Sequence, residues 1–359
     1  MKKLFALCLA LAMVLALVAC GSANQQTPTT PPTSDPVQTQ PKDDTKDEPK
    51  EPVTTEPAGL GDYPNKNIAW VVPVAAGSAT DLVTRAVADR LDLGTTISVE
   101  NITGGAQTIG ANEVMSRDAD GYTLLSFANA GLISQPLLNP DIGYGLKDFR
   151  LLAMLAPTCK ATVTVSKDSE IKTAQDWVDF VTSGKQFTYA VPGSGGYGHI
   201  SMLNVLGQLN STTGTGVAYD GNNGAYTALL TGEVDFCIVD DNFVFTHYNQ
   251  DECNVLGCVS MTPSSYLEGV PALSDYGLKD LDALGGWKVL AIRSDTPDEI
   301  VEFIKAKVND VLGSADYTEY LKTSGYGAFD SLMSEEEITS LVEKAYEIYG
   351  TSLKNAGLM

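Results

Sequence analysis

The chain has 359 residues, with 45 acidic residues against 23 basic ones and a formal net charge of −22 at pH 7. Proteins contact nucleic acids through clustered Lys and Arg, so this balance argues against a DNA or RNA partner. The acidic field also repels anionic ligands at long range, so any anion site must be built locally from backbone dipoles.

The N-terminus has the pattern of an export signal, over residues 1–19. Lys2 and Lys3 precede an apolar run that is too short for a good membrane span and typical of a signal-peptide h-region. The run ends in LVACG, which resembles the bacterial lipobox and implies cleavage before Cys20 with lipid on its thiol. The alternative is an ordinary signal peptide with an incidental cysteine. Lipidation would anchor the protein at the extracytoplasmic face of the bacterial membrane.

Residues 20–60 differ from the rest of the chain in composition. Pro, Thr, Gln, Asp and Lys dominate there, and almost no side chain is apolar. Such a segment cannot bury enough apolar surface to fold, so we expect a disordered, partly polyproline-like tether. The remainder, roughly 300 residues, is long enough for two packed cores.

From residue 67 onward, strand-like and helix-like patterns alternate. The predicted strand IAWVVPV is followed by the turn AAGSATD and the helix LVTRAVADRL. Ser78 and Asp81 match a capping box, which places the helix start at Ser78. The strand TISVEN, the helix TIGANEVMSR and the strand YTLLSFAN come next. In the first helix we expect one apolar face, made of Leu82, Val83, Ala86, Val87 and Leu91.

A second alternating series begins near Ala161. It comprises the predicted strands ATVTVS, FTYAVPG, GVAYDG and VDFCIVD and the predicted helices AQDWVDFVTSG, HISMLNVLGQL and AYTALLTGE. The strand WKVLAIRS then leads to three predicted helices, at 297–312, 316–323 and 334–355. We expect these C-terminal helices to return and pack on the first domain.

Strands that alternate with helices predict parallel sheets covered by helices on both faces, and two such series predict two α/β domains. The segments DFRLLAMLA and GGWKVLAIRS would be the two crossover segments between them. The predicted organisation is lobe one over residues 61–155 and 288–359 and lobe two over residues 156–287. The cleft between the lobes is the default ligand site.

Three predicted strand-to-helix turns consist of glycine and other small residues: AAGSATD at 75–81, GSGGYGH at 193–199 and YDGNNG at 219–224. Bare backbone N–H groups and the positive end of the helix dipole let such turns hold carboxylates without Lys or Arg. A loop at Asn129 and Ala130 should open on the same side, because open parallel sheets bind ligands at the carboxyl ends of strands. For each turn taken singly, a tight connection without a ligand is the alternative.

The second turn also has the spacing of a dinucleotide-binding fingerprint. Gly193-x-Gly195-x-x-Gly198 follows a predicted strand, and Asp220 closes the next one, where a ribose-binding acid belongs. A lone fingerprint is a weak signal, and no nicotinamide pool is expected outside the cytoplasm. The histidines have no evident triad or metal partners, and His199 can bind a ligand or cap its own turn.

Four cysteines lie beyond the N-terminal segment: Cys159, Cys237, Cys253 and Cys258. They form no CxxC pair and no Cys/His cluster, so no metal site is predicted. The exported location permits disulfides, with Cys253 and Cys258 the nearest pair in sequence. Buried free thiols are equally compatible with this spacing.

The globular part, from Tyr63 to about Gly357, resembles the solute receptors of tripartite tricarboxylate transporters, the Bug family. The opening YPNKNIAWVVPVAAGSATDLVTRAVADRL is similar to the family pattern YP-K-I--VVPF-PGG-TD--AR--A--L. The stretch VENITGGAQTIGANEVMSRDADGYTLL is similar to VEN-PGAGG-IGA--VA-A-PDGYTLL. GLKDFRLLAMLA, YAVPGSGGYGH, VAYDGNNGAYTALLTGEVDF and GVPALSDYG follow in the family's order.

The resemblance implies a two-lobed, type II periplasmic-binding-protein fold that closes on a small carboxylate for a membrane permease, without enzymatic activity or cofactor. It implies a ligand held by backbone amides and ordered water, and a monomer. The matching positions in lobe one are Ala75, Ala76, Gly77, Ser78, Asp81, Asn129 and Ala130. Those in lobe two are Ser194, Gly195, Gly196, Tyr197, His199 and Tyr219, and Asp220, which does not match the family pattern, is a further candidate beside Tyr219.

The chain departs from the family pattern at two turns. The first turn is less glycine-rich and lacks the family's aromatic residue, and Tyr219-Asp220-Gly221 stands where the family often has Tyr-Lys-Gly. With Asp81, two carboxylates could then lie near the cleft, which favours a ligand with fewer negative charges than citrate or one with an amine. Alternatively, the two acids are a helix cap and a solvated surface charge. An extracytoplasmic sensor is the alternative function, and a dinucleotide-dependent oxidoreductase a remote one.

Overall fold

The computed structural model describes residues 60–265 and 267–359. The predicted signal peptide, the lipidated Cys20 and the tether up to residue 59 lie outside the described residues. No helix in the described part is long and apolar enough to cross a membrane.

The strands of the described part form two five-stranded sheets, in the orders β2-β1-β3-β10-β4 and β7-β6-β8-β5-β9. Most strands are short apolar runs that are buried along nearly their whole length, as expected where helices cover both faces of a sheet. In chain order the strands are β1 (Ile68–Val72), β2 (Ile97–Asn101), β3 (Thr123–Phe127), β4 (Phe149–Met154), β5 (Ala161–Ser166), β6 (Phe187–Val191), β7 (Gly214–Ala218), β8 (Phe236–Asp240), β9 (Cys253–Val259) and β10 (Val289–Arg293).

The helices cover these sheets, and a π-helical turn, Ala130–Ser134, leads into the third of them. Capping boxes start two of the helices, at Thr173 with Asp176 and at Ser334 with Glu337. The helices are α1 (Ala79–Ala88), α2 (Thr108–Ser116), α3 (Gln135–Leu138), α4 (Ala174–Thr182), α5 (Tyr197–Gln208), α6 (Gly221–Leu230), α7 (Asp241–Asn249), α8 (Asp298–Leu312), α9 (Ala315–Thr323) and α10 (Glu335–Asn355).

The sheets are mixed, which corrects the prediction of purely parallel sheets. β10 runs antiparallel to β3 and β4, and β5 runs antiparallel to β8 and β9. The reason is the route of the chain. β5 and β10 are the strands that directly follow the passages from one sheet to the other, so they start at the interlobe face and run away from it. Strands such as β1, β6 and β7 instead end at that face.

Two segments connect the sheets, residues 155–160 and 285–288, and we call them the crossing pair. Their backbones are hydrogen-bonded to each other: Leu155 N–H donates to Lys288 O at 2.7 Å, and Cys159 N–H donates to Gly286 O at 3.0 Å. Gly286 N–H donates in return to Cys159 O at 2.8 Å. The two segments therefore form one short hydrogen-bonded ribbon rather than two separate connections.

The apolar face of α1 is narrower than predicted. Val83, Ala86 and Val87 are buried, but Leu82 is 51% exposed. The backbone carbonyl of Leu82 accepts a hydrogen bond from the hydroxyl of Tyr320 in α9. Helix α9 covers only the backbone at this point, so the Leu82 side chain stays in solvent.

Helix α10 packs on both lobes, so its contacts extend beyond the first domain, on which the C-terminal helices were expected to pack. It lies against β4 and against α5 of the other sheet. Ser352 accepts a hydrogen bond from Asn204 Nδ2 at 3.2 Å, and Lys344 pairs with Asp280 at 3.1 Å. The helix thus bridges the two sheets on the face opposite α8 and α9.

All four cysteines of the described part are buried free thiols. Cys253 and Cys258 lie on the same extended strand, β9, where a rise of about 3.3 Å per residue keeps them too far apart for a disulfide. Of the two alternatives that the sequence left open, the structure shows buried free thiols, and the disulfide alternative for this pair is wrong.

Candidate ligand-binding site

The lobe-one turn, residues 75–78, joins β1 to the start of α1. Gly77 has φ +80°, a conformation that a residue without Cβ adopts easily. Its N–H donates to the Oδ2 atom of Asp81 at 2.8 Å. Asp81 is 1% exposed and also accepts hydrogen bonds from Arg85 Nε at 3.1 Å and Asn101 Nδ2 at 2.8 Å. The Asp81 carboxylate therefore holds the turn from behind.

Burial opposes the negative charge of Asp81, but the hydrogen bonds from Arg85, Gly77 and Asn101 outweigh it and lower the pKa of this carboxyl. Asp81 is thus an ionised, paired group. The predicted capping box is wrong, because Asp81 accepts from Gly77 N–H, whereas Ser78 N–H donates to Ala75 O. Ser78 is still the N-cap residue, and its hydroxyl is buried without a partner in the described residues.

The first amides of α1 remain available for a ligand. Within the described part of the chain, the N–H groups of Ala79, Thr80 and Asp81 have no backbone or side-chain acceptor, and intrahelical bonding begins with Leu82 N–H to Ser78 O. Together with the buried hydroxyl of Ser78, they form a cluster of donors at the positive end of the helix.

In lobe two, hydrogen bonds to both the N–H and the C=O of Gly195 hold the turn at residues 193–196. Gly195 N–H donates to His199 Nδ1 at 3.1 Å, and Gly195 O accepts from the hydroxyl of Ser134. His199 thus caps its own turn, and burial lowers its pKa. Ser134 ends the π-helical turn that follows β3 of the first sheet, so this hydrogen bond joins the two lobes.

Helix α5 begins at Tyr197, after Gly196 as N-cap residue. The N–H groups of Tyr197, Gly198 and His199 have no acceptor within the described ranges, and the first helical bond is Ile200 N–H to Gly196 O at 3.1 Å. This turn therefore offers the same pattern of open amides as the turn before α1.

The side chain of Tyr197 points to the crossing pair. Its hydroxyl donates to the carboxylate of Asp240. Its ring packs so closely on Gly286 that a Cβ added at that residue would lie 2.6 Å from a ring atom. Burial, and then the charge of Asp240, raise the pKa of Tyr197. Glycine is required at position 286 because the ring packs directly on this backbone, so Tyr197 can serve a ligand only through its amide.

The third turn, residues 219–221, joins β7 to α6. The hydroxyl of Tyr219 donates to Glu233 Oε2 at 3.1 Å, so this side chain is fastened within its own lobe. Asp220 is exposed and is the N-cap residue of α6, but its side chain makes no capping hydrogen bond. The first amides of α6 are open, as in α1 and α5.

Asn129 is 2% exposed and its amide is fully used by the protein. The Nδ2 atom donates to Gly285 O at 2.9 Å and to the hydroxyl of Tyr349 at 3.1 Å, and Oδ1 accepts from Trp287 N–H at 2.8 Å. Asn129 thus links the end of β3 to the crossing pair and to α10. Ala130, next to it, starts the π-helical turn.

Sequence reasoning missed Ser134 and Asp240, which fix Gly195 and Tyr197. Neither has a motif around it, and both act only through contacts between distant parts of the chain.

The described residues contain no group of three or more His, Cys, Asp or Glu side chains that could hold a metal ion. A cavity of about 540 Å³ lies at the other edge of the crossing pair, and none of the predicted site residues lines it.

Two α/β sheets joined by a crossing pair, with open helix N-termini at the face between them, define a two-lobed periplasmic solute-binding protein. The family model for the tripartite tricarboxylate transporter family receptor matches residues 83–358. The chain belongs to this family, which confirms the resemblance seen in the sequence. The family consists of periplasmic solute receptors rather than enzymes.

Related proteins span most of the chain. A UPF0065 protein of Agrobacterium vitis, from the TAR-I ttuE-ttuC' intergenic region, is 31% identical over 258 residues, which cover 70% of this chain and 72% of the relative. Protein BugT of Bordetella pertussis is 26% identical over 279 residues, 75% of this chain and 83% of BugT.

Solved structures share the fold. MatC from Rhodopseudomonas palustris, determined with bound malate, has a TM-score of 0.68 at 23% identity and covers 81% of this chain and 100% of MatC. A second R. palustris protein, determined with adipate, has a TM-score of 0.70 at 23% identity, with 82% and 99% covered. These likenesses confirm the predicted two-lobed fold.

Proposed function

We propose that this protein captures a small carboxylate in the cleft between its lobes and presents it to a membrane permease. The observation that carries the proposal is the set of open N–H groups at the starts of α1, α5 and α6. All three helices follow strands that end at the interlobe face. Amides at a helix N-terminus bind anions through hydrogen bonds and the helix dipole, without a basic side chain. This suits a chain whose overall charge repels anions.

The lobes in this proposal are residues 61–155 with 288–359 and residues 156–287, and the crossing pair is the hinge between them. The Ser134 hydrogen bond to Gly195 joins the lobes on the side of the turns. This bond and His199 fix the Gly195 peptide from both sides, and we take the arrangement in which the bond is made as the closed one, in which the α5 amides have a defined orientation toward the ligand. The ligand contacts are then made by the turns at residues 75–78, 193–196 and 219–221. Asn129 supports these turns through its hydrogen bonds to the crossing pair.

A ligand with two carboxylates suits two facing turns, one for each carboxylate. Malate in MatC and adipate in the second R. palustris structure support this class. Arg85 pairs with Asp81, so only Asp220 would add an unpaired negative charge near the ligand. A dicarboxylate with an amine on the Asp220 side fits the same arrangement.

The family assignment supports a permease as the protein partner, and the lipobox supports attachment through Cys20 at the extracytoplasmic face. A monomer suffices for this role, because each cleft is made by one chain.

Thermal unfolding in the presence of candidate solutes tests the proposal. Malate, adipate or glutamate at about 100 times its Kd should stabilise the protein by about 2.7 kcal/mol, and citrate at the same concentration should stabilise it less. NAD(H) should have no effect, and a shift with the nucleotide alone would contradict the proposal. Asp220→Lys should change the preference among these acids; an unchanged preference would remove Asp220 from the site.

A further inference from the structure

The 540 Å³ cavity lies on the opposite side of the crossing pair from the turns. Its wall includes the ends of β4 and β9, the last strands of their sheets, whereas the turns follow β1, β6 and β7. The crossing pair contributes Pro157, Thr158 and Gly285 to the wall. Both lobes therefore form this cavity, and its volume is in the range of small-molecule sites.

The charged side chains of the wall are mainly acidic. The wall includes three carboxylates, those of Asp241, Asp282 and Asp330, and Lys160 is the one basic residue among the described lining residues. The Lys160 ammonium donates three hydrogen bonds, to Thr262 O, Thr262 Oγ1 and Pro263 O, so its donors are all used. No further donor from this side chain is available to an anion.

The three carboxylates differ in exposure and in the number of hydrogen bonds that they accept. Asp241 is 2% exposed and accepts hydrogen bonds from Lys160 N–H at 3.0 Å and from the hydroxyl of Ser264 at 3.1 Å. Asp282 and Asp330 are exposed, and Asp282 accepts one bond, from Met261 N–H at 3.0 Å. Two carboxylates in the wall can therefore receive a ligand cation.

The rest of the wall combines hydroxyl groups and one side-chain amide with apolar side chains, among them Leu312, Phe329, Leu332 and Leu341. We propose that this cavity is a second binding site, for a small organic amine with an apolar body. The ammonium group contacts Asp282 and Asp330, the apolar body lies on the side chains from α8, α10 and the loop before α10, and the Phe329 ring adds a cation–π surface. The net charge of −22 concentrates cations near the protein and anions away from it.

Occupation of this cavity is coupled to the turns. The cavity exists in the arrangement in which Ser134 bonds to Gly195 across the lobes, so a ligand that fits it stabilises that arrangement. If the turns bind carboxylates as proposed, the amine and the carboxylate strengthen each other by the same factor, about fivefold. Amine binding itself does not depend on the proposed function, and only the coupling does.

Isothermal titration with 2-phenylethylamine as the probe, and 3-phenylpropanoate as its anionic counterpart, tests the site. We expect the amine to bind and the anion not to bind. The double variant Asp282→Asn and Asp330→Asn should weaken amine binding about tenfold. Asn retains the acceptor for Met261 N–H, so the fold is preserved. Asp168→Asn, which removes an exposed carboxylate away from both the cavity and the turns, is the matched control and should not change amine binding.

Several results would overturn the second site: no amine binding to the wild type at millimolar concentration, equal binding of the anion, or equal binding to the double variant. Loss of amine binding in Asp220→Asn would assign the amine to the turns instead. Malate titrated with and without the amine measures the coupling. If malate fails to bind at all, the proposed function fails, and the amine titrations still decide the second site.

Discussion

Asp81 is the residue on which the lobe-one turn depends. It is nearly fully buried, and its carboxylate joins the turn, α1 and the end of β2 through Gly77, Arg85 and Asn101. A buried carboxylate with several hydrogen bonds is costly to replace, since its partners are left without an acceptor. The family pattern has an aspartate here as well, but the sequence alone did not reveal that its role is internal.

Asp81→Asn should lower the free energy of unfolding by about 1–3 kcal/mol, because the charge-assisted bonds from Arg85 become weaker. Carboxylate affinity should fall as well, since the turn is no longer held in one conformation. Urea unfolding and calorimetric titration measure the two effects. Asp220→Asn, at an exposed carboxylate, should leave the stability unchanged; equal losses in both variants would contradict this role of Asp81.

His199 should make the protein sensitive to acid. Burial lowers its folded-state pKa below the unfolded value of about 6.5, so the unfolded chain takes up the proton first as the pH falls. The stability from neutral His199 is complete above about pH 6.5 and is lost as the pH falls through the folded-state pKa. Protonation also removes the Nδ1 acceptor of Gly195 N–H.

Unfolding curves measured between neutral and mildly acidic pH check this expectation. His199→Asn keeps an acceptor that does not titrate in this range, so the variant should lose that part of the pH dependence. If wild type and variant show the same decline, His199 is not the group responsible.

At the scale of elements, helix α10 is the part whose role the sequence did not disclose. The sequence predicted its position, 334–355, within a residue, but nothing in the sequence pattern specifies the surface that the helix covers. It packs on β4 and α5 together, and the Tyr349 hydroxyl meets Asn129 beside the crossing pair. The helix therefore contributes to the way the lobes are held together.

Tyr349→Phe removes only the hydroxyl that accepts from Asn129. We expect a loss of about 1 kcal/mol in stability, because Asn129 Nδ2 keeps its bond to Gly285 O. Tyr346→Phe, in the same helix but only partly buried, is the control and should be close to neutral. Chemical denaturation compares the two, and an equal or larger loss in the control would contradict the assignment.

Three elements, α3, α7 and β9, were not predicted from the sequence, and β4 was predicted only as part of a crossover segment. The run DNFVFTHYN contains several residues that favour strands, and the helix is stabilised by the burial of Val244 and by stacking of His247 on Tyr226. Most other elements were predicted because their apolar patterns were long or their caps were clear. Contacts such as the hydrogen bond from Gly77 N–H to Asp81 were not predicted, because the sequence does not show which of several possible donors pairs with one carboxylate.

At the scale of the whole molecule, the strand patterns predicted two α/β domains but not the direction of every strand. β5 and β10 run against their neighbours because each begins where the chain arrives from the other sheet. This leaves the strands that carry the turns pointing at the interlobe face from both sides. Open amides at the helix starts are thus a consequence of the chain route and need no charged motif.

The amide hypothesis can be tested at Ala79, the first residue of α1. Proline is well tolerated at the first helical position, and the preceding Ser78, at φ −70° and ψ 162°, already has the extended conformation that proline requires of its neighbour. Ala79→Pro therefore removes one open N–H without disturbing the helix. Ala79→Ser keeps the N–H and is the matched control.

Calorimetric titration of malate and adipate into the wild type, Ala79→Pro and Ala79→Ser is the most direct test of carboxylate capture by backbone amides. We predict that Ala79→Pro weakens binding by about 1.5–3 kcal/mol while the ligand-free protein unfolds at an unchanged temperature, and that Ala79→Ser binds like the wild type. Equal affinity of Ala79→Pro and the wild type would contradict the account.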